Sequence, residues 1–254
     1  MARQVAVVTG AGGDIGGACA RRLAASRDVV LCVDRDSARA DETARSIAEH
    51  GGRAEVVAAD AADPVFGAAV AAAAADLGDV TAVVHALAYE EHVDAVELSR
   101  DSLLRSVEVG PVAAFELFRA LVRADRLPTG AALTAIGSLH AEHPFPRCLG
   151  YNAAHAALAQ IVRTLAHEWA PRRIRVNAVV PGWIRTRGEA LLYQESYLDS
   201  MAARLPFGRF GTVDDVAGAV DYLSSVGASY VSGTLLTVDG ALGVSRAVLG
   251  SHDE

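Results

Sequence analysis

Short runs of apolar, β-branched residues alternate with longer alanine-rich segments along this chain. The short runs predict strands, and the longer segments have the 3.6-residue apolar period of helices. The predicted strands are Val5–Val8, Val29–Val33, Ala54–Ala58, Val80–Val84, Ala131–Gly137, Ile174–Val180 and Thr234–Val238. The predicted helices include Ile15–Ala25, Ala38–His50, Pro64–Leu77 and Tyr151–Trp169. Repeated βα units of this kind predict an α/β fold around a parallel sheet, as one domain over residues 1–254.

Composition changes this picture mainly by exclusion. A formal charge of −8 without a long run of basic residues argues against a nucleic-acid partner. The cysteines Cys19, Cys32 and Cys148 lack CxxC spacing, so neither a disulfide scaffold nor a zinc site is expected. No stretch reaches the roughly 18 apolar residues of a membrane span, and no leader precedes the first strand. We therefore expect a cytoplasmic protein with a reduced interior and no membrane contact.

A glycine-rich turn, Thr9–Gly16, connects the first strand to the first helix. Such a turn lets backbone N–H groups and the helix N-terminus approach a pyrophosphate. The candidate dinucleotide contacts in it are Gly10, Gly13, Asp14 and Ile15. Asp34 ends the second strand, where an acidic side chain binds the adenosine ribose and repels a 2′-phosphate. Arg35 is a candidate clamp for that phosphate, but the acid before it favours NAD over NADP.

These motifs resemble the short-chain dehydrogenase/reductase family, and the resemblance covers essentially the whole chain. The residues that carry its glycine, acidic and PGxxxT motifs are Thr9, Gly10, Gly16, Asp60, Pro181, Gly182 and Thr186. The stretches 205–216 and 230–240 are similar to the family's C-terminal signature. The resemblance implies a Rossmann-type, doubly wound sheet of seven parallel strands, a bound nicotinamide cofactor, and a homotetramer or homodimer. It adds Ala61, His85, Ala86 and Ile184 to the expected cofactor contacts.

The chain departs from the family pattern at the cofactor end. Asp14 replaces a glycine, and its carboxylate would weaken pyrophosphate binding unless it turns away to cap the helix, which is what we expect. His85–Ala88 replaces the family's NNAG. The segment Val83–Tyr89 is similar to one in enoyl-acyl-carrier-protein reductases, but the lysine that those enzymes have seven positions after their tyrosine is Leu158 here. Their reaction is therefore not inferred.

Ser138 and Tyr151 have the thirteen-residue spacing of the family's serine and catalytic tyrosine. In the family, the serine holds the substrate carbonyl and the tyrosine exchanges a proton while hydride moves to or from the nicotinamide. The family's lysine, one helical turn later, also binds the nicotinamide ribose and is His155 here, in a chain without any lysine. The resemblance therefore implies that Tyr151 and His155 contact the cofactor too. The family's asparagine aligns with Glu108. We hypothesise that Glu108 pairs with His155 and favours an imidazolium near Tyr151; the alternative is that His155 only fills its helix face.

The loop between Ser138 and Tyr151 contains His140, Glu142 and His143, and the family places this loop over the substrate. His140 is a candidate for substrate contact or for acid–base chemistry, whereas His143 precedes a proline and fits a turn. His140 and Glu142 lack further ligands at a convincing spacing. No metal is therefore expected.

Residues 183–210 resemble the family's lid over an apolar substrate cavity, with Trp183 and Tyr193 as candidate substrate contacts. Arg185 and Arg187 are candidates for binding a carboxylate or phosphate, and Arg187 fits a solvated surface equally well. The substrate predicted by this set is a small molecule, mostly apolar or cyclic.

Together these features predict an NAD(H)-dependent oxidoreductase acting on a ketone, an alcohol or an activated alkene, with Tyr151 as general acid and base. Two alternatives remain open. One is an enzyme of the same fold with non-redox net chemistry, such as a dehydratase, isomerase or cyclase. The other is a non-catalytic dinucleotide-binding protein, which the spacing of Ser138 and Tyr151 argues against.

Overall fold

The computed structural model describes residues 2–188 and 194–245. The strands are β1 (Gln4–Thr9), β2 (Val29–Asp34), β3 (Ala54–Ala58), β4 (Asp79–His85), β5 (Ala132–Ile136), β6 (Arg175–Pro181) and β7 (Leu235–Val238). The α-helices are α1 (Asp14–Ala24), α2 (Ser37–Glu49), α3 (Phe66–Ala75), α4 (Arg100–Val107), α5 (Ala113–Arg123), α6 (Leu149–Glu168), α7 (Glu195–Arg204) and α8 (Val213–Ser224). A π-helical segment, Glu108–Val112, joins α4 to α5.

All adjacent strands are parallel, and their order across the sheet is β3-β2-β1-β4-β5-β6-β7. This confirms the predicted doubly wound sheet of seven parallel strands. The strand order changes direction between β1 and β4. In open α/β sheets, ligands bind at the carboxyl ends of the strands beside such a switch point. The switch therefore positions the candidate site after β1 and β4.

Each central strand is buried on both faces, which is why its sequence is a continuous apolar run. In β1, Val5 and Val7 pack into a core with α3, α5 and α6. Ala6 and Val8 pack into a second core on the opposite face, with α1, α2 and α8. Helices therefore cover both faces of the sheet, and a ligand can approach it only at the ends of the strands.

The predicted strands agree with the structure to within one residue at each end. The predicted helix Tyr151–Trp169 is α6, which begins two residues earlier, at Leu149. Tyr151 therefore lies inside the first turn of α6 and does not open it. In the described part of the chain, no helix is both long and apolar enough to cross a bilayer.

Candidate active site

The glycine-rich turn packs its backbone against the residue that follows β4. Gly10 has a φ of +72°, and a Cβ there would overlap the Ala86 carbonyl oxygen. A Cβ at Gly16 would overlap the Gly10 carbonyl oxygen. Glycine tolerates both constraints because it has no Cβ. Gly13 is the N-cap of α1, and none of the described side chains caps this end, so its first N–H groups are available to an anion.

The Asp34 carboxylate is held against the same turn. One of its oxygens accepts the Gly12 N–H at 2.9 Å, and the other accepts the Asp36 N–H at 3.0 Å. Both bonds fix the carboxylate at the end of β2, where an adenosine ribose would be bound. Arg35 is exposed beside it.

A cavity of about 280 Å³ opens next to the glycine turn. Its lining combines backbone of the turn with charged side chains: Gly12, Gly13, Asp14, Arg21, Arg39, Glu42, Thr43 and Arg187. The guanidinium groups suit phosphate oxygens, since arginine binds them in a bidentate way. Helix N–H groups, arginines and an acidic residue at β2 together fit the pyrophosphate and ribose of a dinucleotide. Arg21 and Arg39 belong to no sequence motif and were not predicted as site residues. Only their positions on α1 and α2 place them at this cavity.

Asp14 does not cap α1, so that expectation was wrong. Its carboxylate instead accepts the Arg187 backbone N–H at 2.6 Å and forms an ion pair with the Arg187 guanidinium. The guanidinium also lies 3.4 Å from the Gly12 carbonyl oxygen. Arg187 therefore bridges the glycine turn and the segment after β6, and it is not merely solvated surface.

His85 ties the two central strands together. It is fully buried at the end of β4, and its Nδ1 lies 3.1 Å from the Thr9 hydroxyl at the end of β1. Burial lowers the pKa of His85 to about 4, and the Val109 and Gly110 carbonyls oppose this. Ala86 also donates its N–H to the Thr9 carbonyl at 3.2 Å. A neutral imidazole therefore occupies the position of the family's first NNAG asparagine.

The remaining predicted cofactor residues lie in the segments that follow β3 and β6. Asp60 is exposed and accepts the Ala62 N–H at 3.0 Å, with Ala61 between them. Gly182 follows β6, where a Cβ would press on Asp239. Ile184 pairs with Gly211 in an isolated parallel bridge. Pro181 ends β6, and Thr186 precedes Arg187. These segments extend the same carboxyl edge.

Tyr151 and Ser138 lie together, as the spacing predicts. Burial raises the pKa of Tyr151 above its ordinary value, the Glu90 carboxylate raises it further, and a hydrogen bond with the Ser138 side chain opposes both effects. Ser138 is buried after β5, and its oxygen accepts the His140 N–H at 3.2 Å. The two hydroxyl groups are therefore arranged to share one substrate oxygen.

His155 packs directly on Tyr151, but Glu108 does not join them. The two rings have centroids 4.2 Å apart. His155 is 4% exposed, and its Nδ1 is buried without a hydrogen-bond partner among the described residues. Burial, together with the nearby His140 and His85, lowers the pKa of His155 to about 3. His155 is therefore neutral at physiological pH, contrary to the hypothesised imidazolium.

Glu108 begins the π-helical segment, and its side chain is exposed. Within the described residues it forms no ion pair or hydrogen bond with His155. The hypothesised Glu108–His155 pair was wrong. A π turn has a different number of residues per turn from an α turn, so it changes the face that each residue occupies.

Aromatic side chains line the approach to Tyr151. His140 stacks on Phe145 with centroids 4.3 Å apart and meets the Tyr151 ring edge-on at 4.9 Å. Phe145 in turn lies 6.5 Å from the Trp183 ring. The His140 Nδ1 lies 2.8 Å from the Asn152 amide oxygen, which fixes the ring. His140 and Trp183 are therefore brought together at the cleft, whereas Tyr193 lies outside the described residues.

The chain is similar to known proteins along nearly all of its length. The family model described as enoyl-(acyl carrier protein) reductase matches residues 10–243. A 3β-hydroxysteroid dehydrogenase of Eggerthella lenta is 34% identical over 245 residues, which cover 93% of this chain and 92% of that protein. The cis-4-hydroxycyclohexanecarboxylate dehydrogenase of Sinomonas cyclohexanicum is 34% identical over 242 residues, covering 94% and 96%.

Among solved structures, a variant of actinorhodin polyketide ketoreductase with NADPH is 28% identical, with a TM-score of 0.90 over 96% of this chain and 98% of that one. The relatives found by sequence and by structure are dehydrogenases and reductases. The chain belongs to the short-chain dehydrogenase/reductase family, whose members are NAD(P)-dependent oxidoreductases acting on small molecules.

Proposed function

We propose that the protein transfers a hydride between NAD(H) and a small, mostly apolar or cyclic ketone or alcohol, with Tyr151 as general acid and base. The observation that carries this proposal is the placement of Tyr151 beside the Ser138 hydroxyl, in a cleft at the carboxyl edge of the sheet. A non-catalytic dinucleotide-binding protein needs neither hydroxyl there.

The nicotinamide, when bound, supplies or accepts the hydride. In ketone reduction, the Ser138 hydroxyl holds the substrate carbonyl oxygen while the Tyr151 phenol donates a proton to it. The raised pKa of Tyr151 keeps the phenol protonated at neutral pH. Reduction is therefore the direction that this site supports best, because alcohol oxidation needs the phenolate as base.

His155 takes a different role from the family's lysine. A neutral ring cannot lower the pKa of Tyr151 by its charge. Its unpartnered Nδ1 and its contact with the phenol instead suit a proton relay that returns a proton to Tyr151.

The cleft supports a cyclic substrate. His140, Phe145 and Trp183 present flat aromatic surfaces next to Tyr151, and such surfaces bind apolar rings well. Residues 183–210 would close over it as a lid. Two relatives named above act, by their names, on a steroid alcohol and on a hydroxycyclohexane. Both names are in line with a ring-bearing alcohol or ketone.

NAD(H) is the proposed cofactor because the Asp34 carboxylate is fixed at the ribose position by two N–H groups. The cofactor contacts are those that the sequence predicts, from Gly10 and Gly13 to Thr186, with Arg39 added. Arg39 lies beside Asp34 across Gly12, and the neighbouring ketoreductase structure carries NADPH. NADPH is therefore the competitor that the experiment must include.

We further propose a cytoplasmic homotetramer or homodimer, as is usual in the family. The three cysteines are free and buried, which fits a reducing compartment.

The test is a fluorescence titration of the purified protein with NADH and with NADPH. We expect micromolar binding of NADH, weaker binding of NADPH, and loss of NADH affinity in Asp34→Ala. Asp41→Ala is the matched control, since it removes an exposed carboxylate from α2. Cyclic ketones are then screened by loss of NADH absorbance, where Tyr151→Phe should abolish turnover and leave NADH binding unchanged. If neither cofactor binds, the proposed hydride transfer is wrong.

A further inference from the structure

Three potential metal ligands form a cluster that the proposed hydride transfer does not use. Glu90 and His92 lie in the segment between β4 and α4, and Cys148 directly precedes α6. One ligand atom from each side chain lies within 4.8 Å of the other two. His92 Nε2 is 2.7 Å from a Glu90 carboxylate oxygen, and the Cys148 side chain hydrogen bonds with Glu90. It is the only such group in the described part of the chain.

The two segments that carry these side chains are bound to each other through their backbones. The Val93 N–H donates to the Arg147 carbonyl at 2.9 Å. The Arg147 guanidinium lies 3.4 Å from the His92 carbonyl oxygen and 3.4 Å from the Asp94 carboxylate. Cys148 is 58 residues from Glu90 and 56 from His92 in the sequence. The backbone contacts nevertheless hold the two segments side by side.

Further contacts fix each segment separately. The Ser102 hydroxyl on α4 donates to the Glu91 carboxylate, between the two exposed ligands. Arg147 has a φ of +65°, a conformation that a non-glycine residue adopts only when its surroundings impose it. This turn buries Cys148, which is 5% exposed. The thiol is therefore fixed, whereas the exposed Glu90 and His92 side chains are free to adjust.

We propose that Glu90, His92 and Cys148 bind a zinc-class divalent cation. A thiolate, an imidazole and a carboxylate together match the ligand preference of Zn²⁺, whereas Mg²⁺ and Ca²⁺ prefer oxygen ligands alone. In a tetrahedral zinc site, ligand atoms are about 3.3–3.6 Å apart. The ligand atoms lie within 4.8 Å of one another, so binding requires the exposed Glu90 and His92 side chains to shift around the ion. Three protein ligands also leave one position for water or a substrate oxygen, as in catalytic zinc sites.

The cluster lies at the substrate cleft. Glu90 and Cys148 both interact electrostatically with the Tyr151 phenol, and Glu90 and His92 with His140. From the sequence no zinc site is expected, because the cysteines lack CxxC spacing and because nothing in the sequence relates Cys148 to residues 90–92.

The test measures Zn²⁺ affinity of tag-free protein by competition with a chromophoric chelator. We expect one Zn²⁺ per chain and a loss of affinity of about 100-fold or more in each of Glu90→Gln, His92→Ala and Cys148→Ser, since even outer partners of a ligand change affinity about 10–100-fold. His50→Ala and Cys19→Ala are the matched controls, and both should bind like the unaltered chain. Circular dichroism and NADH titration verify that each variant is folded.

Co²⁺ gives a second readout that does not depend on the variants. Bound through Cys148, it should show thiolate-to-cobalt charge-transfer absorption in the near ultraviolet, in the unaltered protein. Absence of that absorption, or Zn²⁺ affinity that survives in His92→Ala and Cys148→Ser, would overturn the proposal, whatever the outcome for cofactor binding.

Discussion

At the residue scale, His155 removes the positive charge that the family's lysine places beside the catalytic tyrosine. The neutral ring leaves the Tyr151 phenol without the cation that lowers its pKa in relatives with a lysine. Alcohol oxidation needs the phenolate, so its rate should rise with pH up to and beyond about pH 10, the ordinary pKa of tyrosine. Ketone reduction uses the protonated phenol and should be insensitive to Tyr151 titration near neutral pH.

His155→Lys should move the oxidation profile to lower pH. A cation next to a titrating oxygen lowers its pKa by about 1–3 units, so we expect a shift of at least about one unit in kcat/KM for alcohol oxidation. Ala156→Lys is the control, because that position is exposed on the same helix. An unchanged profile in His155→Lys would contradict the assignment of Tyr151 as the base.

The buried histidines also make stability depend on pH. Burial lowers the pKa of His85 to about 4 and that of His155 to about 3, from 6.5 in the unfolded chain. Below pH 6.5 the unfolded state therefore binds more protons than the folded state. The free energy of unfolding is therefore unaffected by these histidines above pH 6.5. It decreases as the pH falls from 6.5 toward the folded-state pKa values of His85 and His155.

Urea unfolding at about pH 7 and about pH 5 measures this loss. His85→Asn should reduce the difference in unfolding free energy between the two pH values by about 2 kcal/mol, and so should His155→Gln. The exposed His50→Gln is the control for general effects. Equal pH dependence in all three variants would show that carboxylates, and not these histidines, dominate acid unfolding.

At the element scale, the turn between β1 and α1 depends on glycine for two separate reasons. Gly10 needs both a positive φ and room for the Ala86 carbonyl, whereas Gly51 has a φ of +81° with nothing within 4 Å of a Cβ. Gly51→Ala should cost about 1–2 kcal/mol, the penalty of the left-handed conformation. Gly10→Ala should cost an additional ~1–3 kcal/mol from overlap and should also lose NADH binding. Equal losses in thermal unfolding would refute the overlap.

The same scale shows what the sequence can and cannot reveal. Strands such as β1 were recognisable because burial on both faces requires an unbroken apolar run. The Ser138–Tyr151 pair followed from spacing in the resembling family. The spacing did not predict which helix face the Glu108 side chain occupies, because a π-helical segment alters the face of each residue in it. The Asp14–Arg187 and Glu90–Cys148 contacts join distant segments, and local patterns hold no information about such pairs.

At the scale of the whole molecule, three large apolar side chains are exposed at the end of α8 and just beyond it. Tyr222 is 47% exposed, Val226 92% and Tyr230 103%. Such an exposed patch is typical of a surface that associates. Sedimentation velocity should therefore show a dimer or tetramer, and Val226→Ser with Tyr230→Ser should shift it toward monomer. Val96→Ser, at an equally exposed valine before α4, should have no effect; a monomeric unaltered chain would refute the assembly.

The ion pair between Asp14 and Arg187 joins the nucleotide end of the molecule to the proposed lid, which includes Arg187. A phosphate that bound Arg187 would compete with Asp14 for it, so dinucleotide occupancy and the position of that segment depend on one shared contact. Thermodynamic coupling of two binding events is reciprocal. If the dinucleotide changes the affinity for substrate through this contact, the substrate changes the affinity for the dinucleotide by the same factor. Under that condition, Asp14 in place of a glycine would couple the binding of the two ligands.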